Sequence, residues 1–232
     1  MIRPAATLCA LRASEGRMEV LMVRRAADAS FVAGGFVFPG GALEDCDRSP
    51  LASGLVEGVS SAEMLPWVAA ALREAFEETG LLMSVEPAGS AASALRPLRG
   101  WDFYQALAAE SMCLDGGSVA YLSNWVGPPT VARRFDTRFF VTEVSAPDLT
   151  PDGAEVTEAL WVEPEVALRR GDDGTWSMLF PTRSHLELLS RFKRPAEVVD
   201  YARSRPVVPI EPTRGPNGGV RLPIDDEQGS QP

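Results

Sequence analysis

The stretch Arg73-Glu-Ala-Phe-Glu-Glu-Thr-Gly80 decides how the rest of this chain is interpreted. It places Glu74, Glu77 and Glu78 at positions i, i+3 and i+4, which lie on one face of a helix. Neighbouring like charges on a bare helix cost roughly a few tenths of a kcal/mol per pair, so three carboxylates favour a bound divalent cation. Magnesium suits such a site because it prefers oxygen ligands. A solvated acidic face, which is commoner on helices in general, is the alternative.

A glycine loop, Pro39-Gly40-Gly41, lies upstream of this helix. Backbone without side chains can approach a cation or a phosphate closely, so the loop supports the metal-site interpretation. The helix itself is predicted by a repeat of large apolar residues after Pro66, since proline is favoured in the first turn. This repeat consists of Trp67, Leu72, Phe76 and Leu81.

The loop and the helix together resemble the Nudix box, in which a glycine and an acid precede the pattern REUXEEXGU. The second half of the box matches at every defined position, and Ala75 and Leu81 occupy its two apolar sites. Asp47 falls where the Nudix family usually has glutamate, and 25 residues separate it from Arg73 where the usual box has seven. A surface insertion explains the longer spacer. The matching residues are Gly41, Arg73, Glu74, Glu77, Glu78 and Gly80.

The long spacer indicates a branch of this family. The segments FVFPGGALEDCDRSP, REAFEETGLLM and RRFDTRFFV are similar to the mammalian coenzyme A diphosphatase branch, which carries an enlarged Nudix box. The similarity runs from about Val20 to about Phe192. It implies hydrolysis of coenzyme A or acyl-coenzyme A to adenosine 3',5'-bisphosphate and a phosphopantetheine product. The alternatives are a nucleotide sugar, a dinucleotide or a modified nucleotide as substrate, or a ligand-sensing module without turnover.

The resemblance also implies the roles of the box residues in a magnesium-dependent reaction, with Mn²⁺ as the alternative cofactor. Glu74, Glu77 and Glu78 are expected to bind the metal, and one of them doubles as the base. The carbonyl of Gly41 is a further candidate ligand. Arg73 is expected to orient the carboxylates by salt bridging, although a plain helix-surface pair is the alternative.

A further metal ligand is expected at the entry of a later strand, where Glu155 and Glu158 lie and where many Nudix proteins supply another carboxylate. Ordinary solvent exposure beside a turn is the alternative for Glu155. Candidate substrate contacts are Arg134 and Arg138, which share one side of a strand and could clamp phosphate or pair with Asp136. Arg24 and Arg25 are a second candidate contact, and Phe38 is either core or an adenine stack.

The order of strand-like and helix-like segments predicts an α/β fold, and the resemblance makes it a Nudix-type α/β/α sandwich with a mixed sheet. We expect one domain over residues 1–200, with a box insertion at about 48–66 and a helical insert at about 84–127. Strands are predicted near residues 5–12, 18–25, 134–144 and 156–162, and helices at 164–170 and 182–192. Residues 201–232 form a tail rich in proline and glycine.

The charge of the chain limits its partners. A net charge of -10 over 232 residues disfavours nucleic acid and anionic membranes, so we expect a small diphosphate substrate. The N-terminus lacks the long apolar run of a signal peptide, which favours a cytoplasmic protein. The three cysteines have no metal-type spacing, and the single histidine, His185, is interpreted as a packing or surface residue. A homodimer is expected.

Overall fold

The computed structural model describes residues 2–29, 32–86, 94–96, 98–131, 133–145, 148–214 and 220–221. It contains both strands and helices, as the sequence predicts. The strands are β1 (Ile2–Ser14), β2 (Arg17–Arg25), β3 (Phe36–Val37), β4 (Gly40–Ala42), β5 (Val56–Glu57), β6 (Leu114–Asp115), β7 (Ala120–Val126), β8 (Arg134–Glu143), β9 (Val156–Val162), β10 (Pro209–Ile210), β11 (Thr213–Arg214) and β12 (Val220–Arg221).

The main sheet of the described residues has eight strands and is mixed, which confirms the expected sheet type. Its strands run in the order β10-β7-β8-β1-β2-β3, with β4 paired to β1 and β9 paired to β2. β1 is parallel to β8 and antiparallel to β2 and β4. Residues along β1 are buried on both faces, as expected for the central strand of a sheet covered on both sides.

Helices cover both faces of the sheet and enclose two separate apolar clusters, which confirms the α/β/α sandwich. One cluster contains side chains from α1, α2 and α3, and the other contains side chains from α4, α5 and α6. The helices are α1 (Pro50–Leu55), α2 (Leu65–Thr79), α3 (Gly100–Ala109), α4 (Pro164–Asp172), α5 (Phe180–Leu189) and α6 (Pro195–Arg203).

The helix that carries the acidic motif, α2, begins and ends where the sequence predicts. Pro66 occupies its first turn, where a missing N–H costs nothing. Gly80 terminates it in the left-handed conformation with φ of 78°, and its N–H donates to the carbonyl of Phe76 at 2.8 Å. Every residue from Val68 to Thr79 is buried except Glu74, which is half-buried. The helix therefore lies between the sheet and the other helices of its cluster.

Two parts of the sequence analysis differ from the structure. The helical insert expected at about 84–127 is not helical throughout, because beyond Ala109 it contains β7 (Ala120–Val126), a strand of the main sheet. Tyr121 and Trp125 are four residues apart, which suits a helical spacing, but in β7 they pack against different apolar clusters, and the strand is irregular between Tyr121 and Ser123. The box insertion at 48–66 is not irregular throughout, since it contains α1 and β5. Within the expected tail, α6 reaches Arg203 and β10 pairs with β7, while residues 215–219 and 222–232 lie outside the described residues.

In the described ranges, no helix is both long and apolar enough to cross a membrane.

Candidate active site

The glycine loop lies on the carboxylates of α2 because the main sheet holds it there. β4 pairs with β1 through Gly40 and Gly41, and the N–H of Gly40 donates to Oε2 of Glu78 at 3.0 Å. A Cβ atom added at Gly41 would lie 2.5 Å from Oε1 of Glu74, far inside van der Waals contact. The loop therefore needs glycine at position 41 because of the close approach of a carboxylate rather than because of an unusual φ.

Arg73 connects the acidic residues of the box in a buried network. Its Nε and Nη2 donate to the two carboxylate oxygens of Asp47 at 2.8 and 2.9 Å, which is a bidentate pair. Its Nη1 lies 2.9 Å from Oε1 of Glu74 and 3.3 Å from Oε2 of Glu77. The arginine is 1% exposed and Asp47 is fully buried. Asp47 thus contacts Arg73 across the 25 residues that separate them in the sequence.

The three glutamates divide into a pair and a single residue. Glu74 and Glu78 face the glycine loop, and the charge of Glu74 acts on Glu78. Glu77 has a different environment, because its Oε1 accepts the N–H of Gly100 at 2.8 Å and its Oε2 faces Arg73. In the described part of the chain, no group of three His, Cys, Asp or Glu side chains is arranged to hold a metal ion. The structure therefore offers two converging carboxylates rather than three.

Burial changes the acidity of these carboxylates. Desolvation raises the pKa of Glu74 to about 7, against the opposing charge of Arg73. Desolvation also raises the pKa of Glu78 well above its ordinary value, and the negative charge of Glu74 adds to this effect. The pKa of Glu77 is raised by burial too, opposed first by Arg73. The positive charge around Glu74 and Glu78 is too small for both to ionise easily at neutral pH. A divalent cation would supply the missing positive charge.

This donor set fits magnesium. Magnesium keeps several waters and is commonly held by one or two protein carboxylates together with phosphates of the substrate. Glu74, Glu78 and the adjacent backbone of Gly41 provide oxygen donors of that kind. The bare backbone at Gly41 also leaves the space next to Glu74 free of a side chain.

Arg25, rather than Arg24, lies beside the carboxylate pair. Nη1 of Arg25 is 3.6 Å from Oε1 of Glu78, and its Nη2 is 3.9 Å from Oε2 of Glu155. Successive residues of a strand point to opposite faces, so Arg24 lies elsewhere, with its guanidinium 5.8 Å from the ring of Phe36. Glu155 is largely exposed, at 70% for its side chain, and its charge acts on Glu78.

The turn that carries Glu155 is attached to the end of α2. The carboxylate of Asp152 accepts the backbone N–H groups of residues 154, 155 and 156 at 2.9 to 3.0 Å. The N–H of Asp152 donates to the carbonyl of Glu78, and that of Thr150 donates to Thr79. Because of these bonds, Glu155 is held near the carboxylate pair although its side chain is exposed.

The two arginines of β8 have separate partners. Arg134 pairs with Glu211 at 2.7 Å and donates to the carbonyl of Gly127. Arg138 lies with its guanidinium 4.1 Å from the ring centroid of Trp67 on α2 and 3.3 Å from Glu63. The carboxylate of Asp136, the alternative partner, instead accepts a hydrogen bond from the amide of Asn124. Arg138 therefore lies on the face of the sheet that α2 covers.

A cavity of about 110 Å³ opens beside the glycine loop. Phe38 is 2% exposed and lines it, so this residue belongs both to the core and to the wall of the cavity. The volume accommodates a small group or the edge of a ring rather than a whole nucleoside. The wall includes Thr7, Arg25, Phe38, Gly40, Phe139 and Thr182.

His185 is a packing residue, as the sequence analysis favours. Its ring stacks on Phe139 with centroids 4.1 Å apart, its Nδ1 donates to the carbonyl of Pro181, and its Nε2 accepts the hydroxyl of Ser123. Burial lowers its pKa to about 4, so the ring is neutral at physiological pH. Among the cysteines, Cys9 and Cys46 are buried and burial raises the pKa of both thiols, which makes them poor nucleophiles.

Three residues near the site were not recognised from the sequence: Gly100, Tyr104 and Asp152. Tyr104 and Gly100 belong to the insert, and each forms a hydrogen bond to an acid of the box, Asp47 and Glu77 respectively. Asp152 lies in a Pro-Asp-Gly turn of the sequence. An aspartate in such a turn often bonds to the backbone two residues on, so the turn could have indicated the role of Asp152. The insert offered no comparable local signal, because its contacts span many residues of chain.

Comparison with known proteins finds one matching family model and several similar solved structures. The family model described as NUDIX domain matches residues 1–180. A solved NUDIX hydrolase from Alicyclobacillus acidocaldarius is 31% identical, with a TM-score of 0.73 over 86% of this chain and 96% of that chain. A mutator MutT protein from Bacillus halodurans is 11% identical with a TM-score of 0.48, covering 96% of this chain and 99% of that one. The NUDIX domain of Shewanella oneidensis NrtR, solved with ADP-ribose, is 14% identical with a TM-score of 0.47 over 82% and 87%.

Proposed function

The chain belongs to the Nudix family, and we propose that it hydrolyses the diphosphate bond of coenzyme A or acyl-coenzyme A with the help of magnesium. As a Nudix hydrolase it acts on the diphosphate bond of a nucleoside diphosphate derivative. The proposed products are adenosine 3',5'-bisphosphate and a phosphopantetheine compound.

The observation that carries the proposal is the carboxylate pair of Glu74 and Glu78 against the backbone of Gly40 and Gly41. Two carboxylates that face the same stretch of bare backbone supply oxygen donors of the kind that hold a divalent cation. Magnesium bound there would neutralise the diphosphate and increase the acidity of the attacking water. Nη1 of Arg73 lies 2.9 Å from Oε1 of Glu74, and its Nη2 donates to the carbonyl of Ala42 next to the loop.

The chain's own groups account for the remaining steps of the proposed reaction. Water oxygen bonds to phosphorus, the bridging P–O bond breaks, and one carboxylate of the pair accepts the proton of the water. Arg25 contributes positive charge at the same place, so Arg25 rather than Arg24 is the proposed phosphate contact of the two. Arg134 has Glu211 and a backbone carbonyl as partners and Arg138 has Glu63, so a phosphate contact by either arginine of β8 would replace an existing partner.

The choice of coenzyme A rests on the enlarged box. The 25-residue spacer between Asp47 and Arg73 is folded, contains α1, and still brings the acid to the arginine. The cavity lined by Phe38 and Phe139 next to Arg25 supports binding of part of an organic group beside the diphosphate. These features agree with the resemblance of three sequence segments to coenzyme A diphosphatases.

Product analysis tests the proposal. The purified protein is incubated with magnesium and a panel of coenzyme A, acyl-coenzyme A, nucleotide sugars, dinucleotides and nucleoside triphosphates. Selective formation of adenosine 3',5'-bisphosphate is expected, and Glu78→Gln should lower it at least about 100-fold, because that change removes the charged partner of Glu74. Glu165→Gln, an exposed acid in the first turn of α4, is the matched control and should retain full activity.

Each other result corrects a different part of the proposal. Preferred turnover of another compound would retain the chemistry and reject coenzyme A. Absence of turnover on the whole panel would favour a ligand-sensing module. The homodimer and the cytoplasmic location remain predictions, which light scattering after size-exclusion chromatography and cell fractionation would test.

A further inference from the structure

The buried carboxylate of Asp47 has a complete set of hydrogen-bond donors, and one of them comes from the insert. Its Oδ1 accepts from Nε of Arg73 and from the hydroxyl of Tyr104, both at 2.8 Å. Its Oδ2 accepts from Nη2 of Arg73 at 2.9 Å and from the backbone N–H of Glu44 at 2.8 Å. A buried charge with this many donors has a strongly preferred position, since losing one donor leaves part of the charge unsatisfied.

Tyr104 is held firmly enough to act as a fixed donor. It is fully buried on α3, and its ring lies 5.4 Å from that of Phe103, which in turn stacks at 5.1 Å on Phe76 of α2. Burial and the charge of Asp47 raise the pKa of Tyr104. The hydroxyl therefore stays protonated and donates a hydrogen bond to Asp47.

The same helix contacts the box at a second point. The N–H of Gly100, at the beginning of α3, donates to Oε1 of Glu77 at 2.8 Å. The insert thus binds the two acids that do not face the glycine loop, Asp47 and Glu77. Both acids also contact Arg73, whose Nη1 is 2.9 Å from Glu74.

We propose that Tyr104 is a positioning residue, which fixes Asp47 so that Arg73 holds the Glu74 carboxylate in place for a divalent cation. The proposal rests on the proposed function only for the role of Glu74 as a metal ligand. Aspartate is one methylene shorter than the glutamate usual at this position of the family's box, and the tyrosine hydroxyl occupies space beside its carboxylate. The insert therefore helps to position the residues of the site and is more than an addition to the surface.

The first test removes only the hydroxyl. Tyr104→Phe keeps the ring and its packing, and the binding of Mn²⁺ to the purified protein without substrate is measured by calorimetry at 20 °C, well below unfolding. The dissociation constant for Mn²⁺ should rise about tenfold, as is typical when a residue that orients a metal ligand is changed. With a substrate that the protein hydrolyses, the magnesium concentration that gives half the maximal rate should rise by the same factor. The KM for that substrate should stay within about twofold of the wild-type value.

Tyr201→Phe is the matched control. Tyr201 lies on α6, where its hydroxyl contacts Arg205, so this change should leave Mn²⁺ binding unaltered. Unchanged Mn²⁺ binding in Tyr104→Phe would overturn the proposal, even if its melting temperature falls. Absence of turnover in the wild type would refute the proposed function, but the Mn²⁺ measurement would still decide the role of Tyr104.

A second pair of variants tests the link through Asp47. Asp47→Glu alone should weaken Mn²⁺ binding, because the longer side chain meets the hydroxyl of Tyr104. The combination of Asp47→Glu with Tyr104→Phe should recover most of the loss, since one methylene is added where one oxygen is removed. Additive losses in the double variant would contradict the proposed coupling.

Discussion

Gly41→Ala introduces the smallest side chain at the closest contact between the glycine loop and α2. The new Cβ would lie 2.5 Å from Cδ and Oε1 of Glu74 and 2.7 Å from its Oε2, where ordinary contact begins at 3.4 Å. The carboxylate must therefore retreat by about 1 Å, which is the difference between these distances. Arg73 holds Oε1 at 2.9 Å, so the retreat also strains that ion pair.

A displacement of this size should be costly for turnover and modest for folding. Misplacing a catalytic group by about 1 Å lowers rates about 100-fold, which is roughly 2.7 kcal/mol of transition-state stabilisation. Overpacking by one methyl costs about 1 to 3 kcal/mol in stability. The assay is kcat with saturating magnesium on the best substrate of the panel, together with thermal unfolding of the same samples.

Gly54→Ala provides the matched control. Gly54 lies in α1, is exposed, and has no atom within 4 Å of the position of an added Cβ. This variant should keep full activity and gain about 0.5 to 1 kcal/mol in stability, because alanine favours helix over glycine. If Gly41→Ala folds and keeps more than half of the wild-type kcat, the close contact with Glu74 has no role in catalysis and the reasoning is refuted.

Two further predictions concern the charges of the site. Without metal, the melting temperature should fall as the pH rises from about 5 to about 8. The pKa of Glu74 is about 7 when folded against 4.5 ordinarily, so between these values the folded state holds a proton that the unfolded chain has released, and stability declines with pH. The full loss of folding stability from a group with this shift is about 3 kcal/mol. Magnesium should reverse this loss. A metal-free melting temperature that does not change with pH would contradict the raised pKa. Arg25→Ala should lower kcat/KM about tenfold more than Arg24→Ala, because of the two only Arg25 approaches Glu78. Equal kcat/KM values for the two variants would argue against a role for Arg25.

Much of the fold could be predicted because its signals are local. The apolar repeat after Pro66 marks α2 correctly, apolar strand-like runs mark β1 and β2, and alternating patterns mark β8 and β9. The glycine loop and the acidic helix were recognised for the same reason, since each is a short continuous motif. The structure adds that they meet, which depends on the pairing of β4 with β1.

The remaining features depend on contacts between distant residues. The bond from Tyr104 to Asp47 spans 57 residues, and nothing in the periodicity of the insert marks this hydroxyl among other aromatic positions. The sequence left Arg24 and Arg25 open as candidate contacts for a related reason. Alternation along a strand shows that the two side chains point to opposite faces, but not which face the glutamates approach.

The central strand, β1, pairs with two different strands in succession, and this pairing affects how the site unfolds. One edge of β1 bonds first to the glycine loop, from Ala5 to Leu8, and then from Leu11 onward to β2. The loop is thus a branch of the central hydrogen-bonded ladder, and it is also bonded to α2 through the N–H of Gly40. Opening the loop requires breaking bonds of the strand that every other part of the sheet depends on, so the carboxylates and their glycine partners should stay together until the whole domain melts.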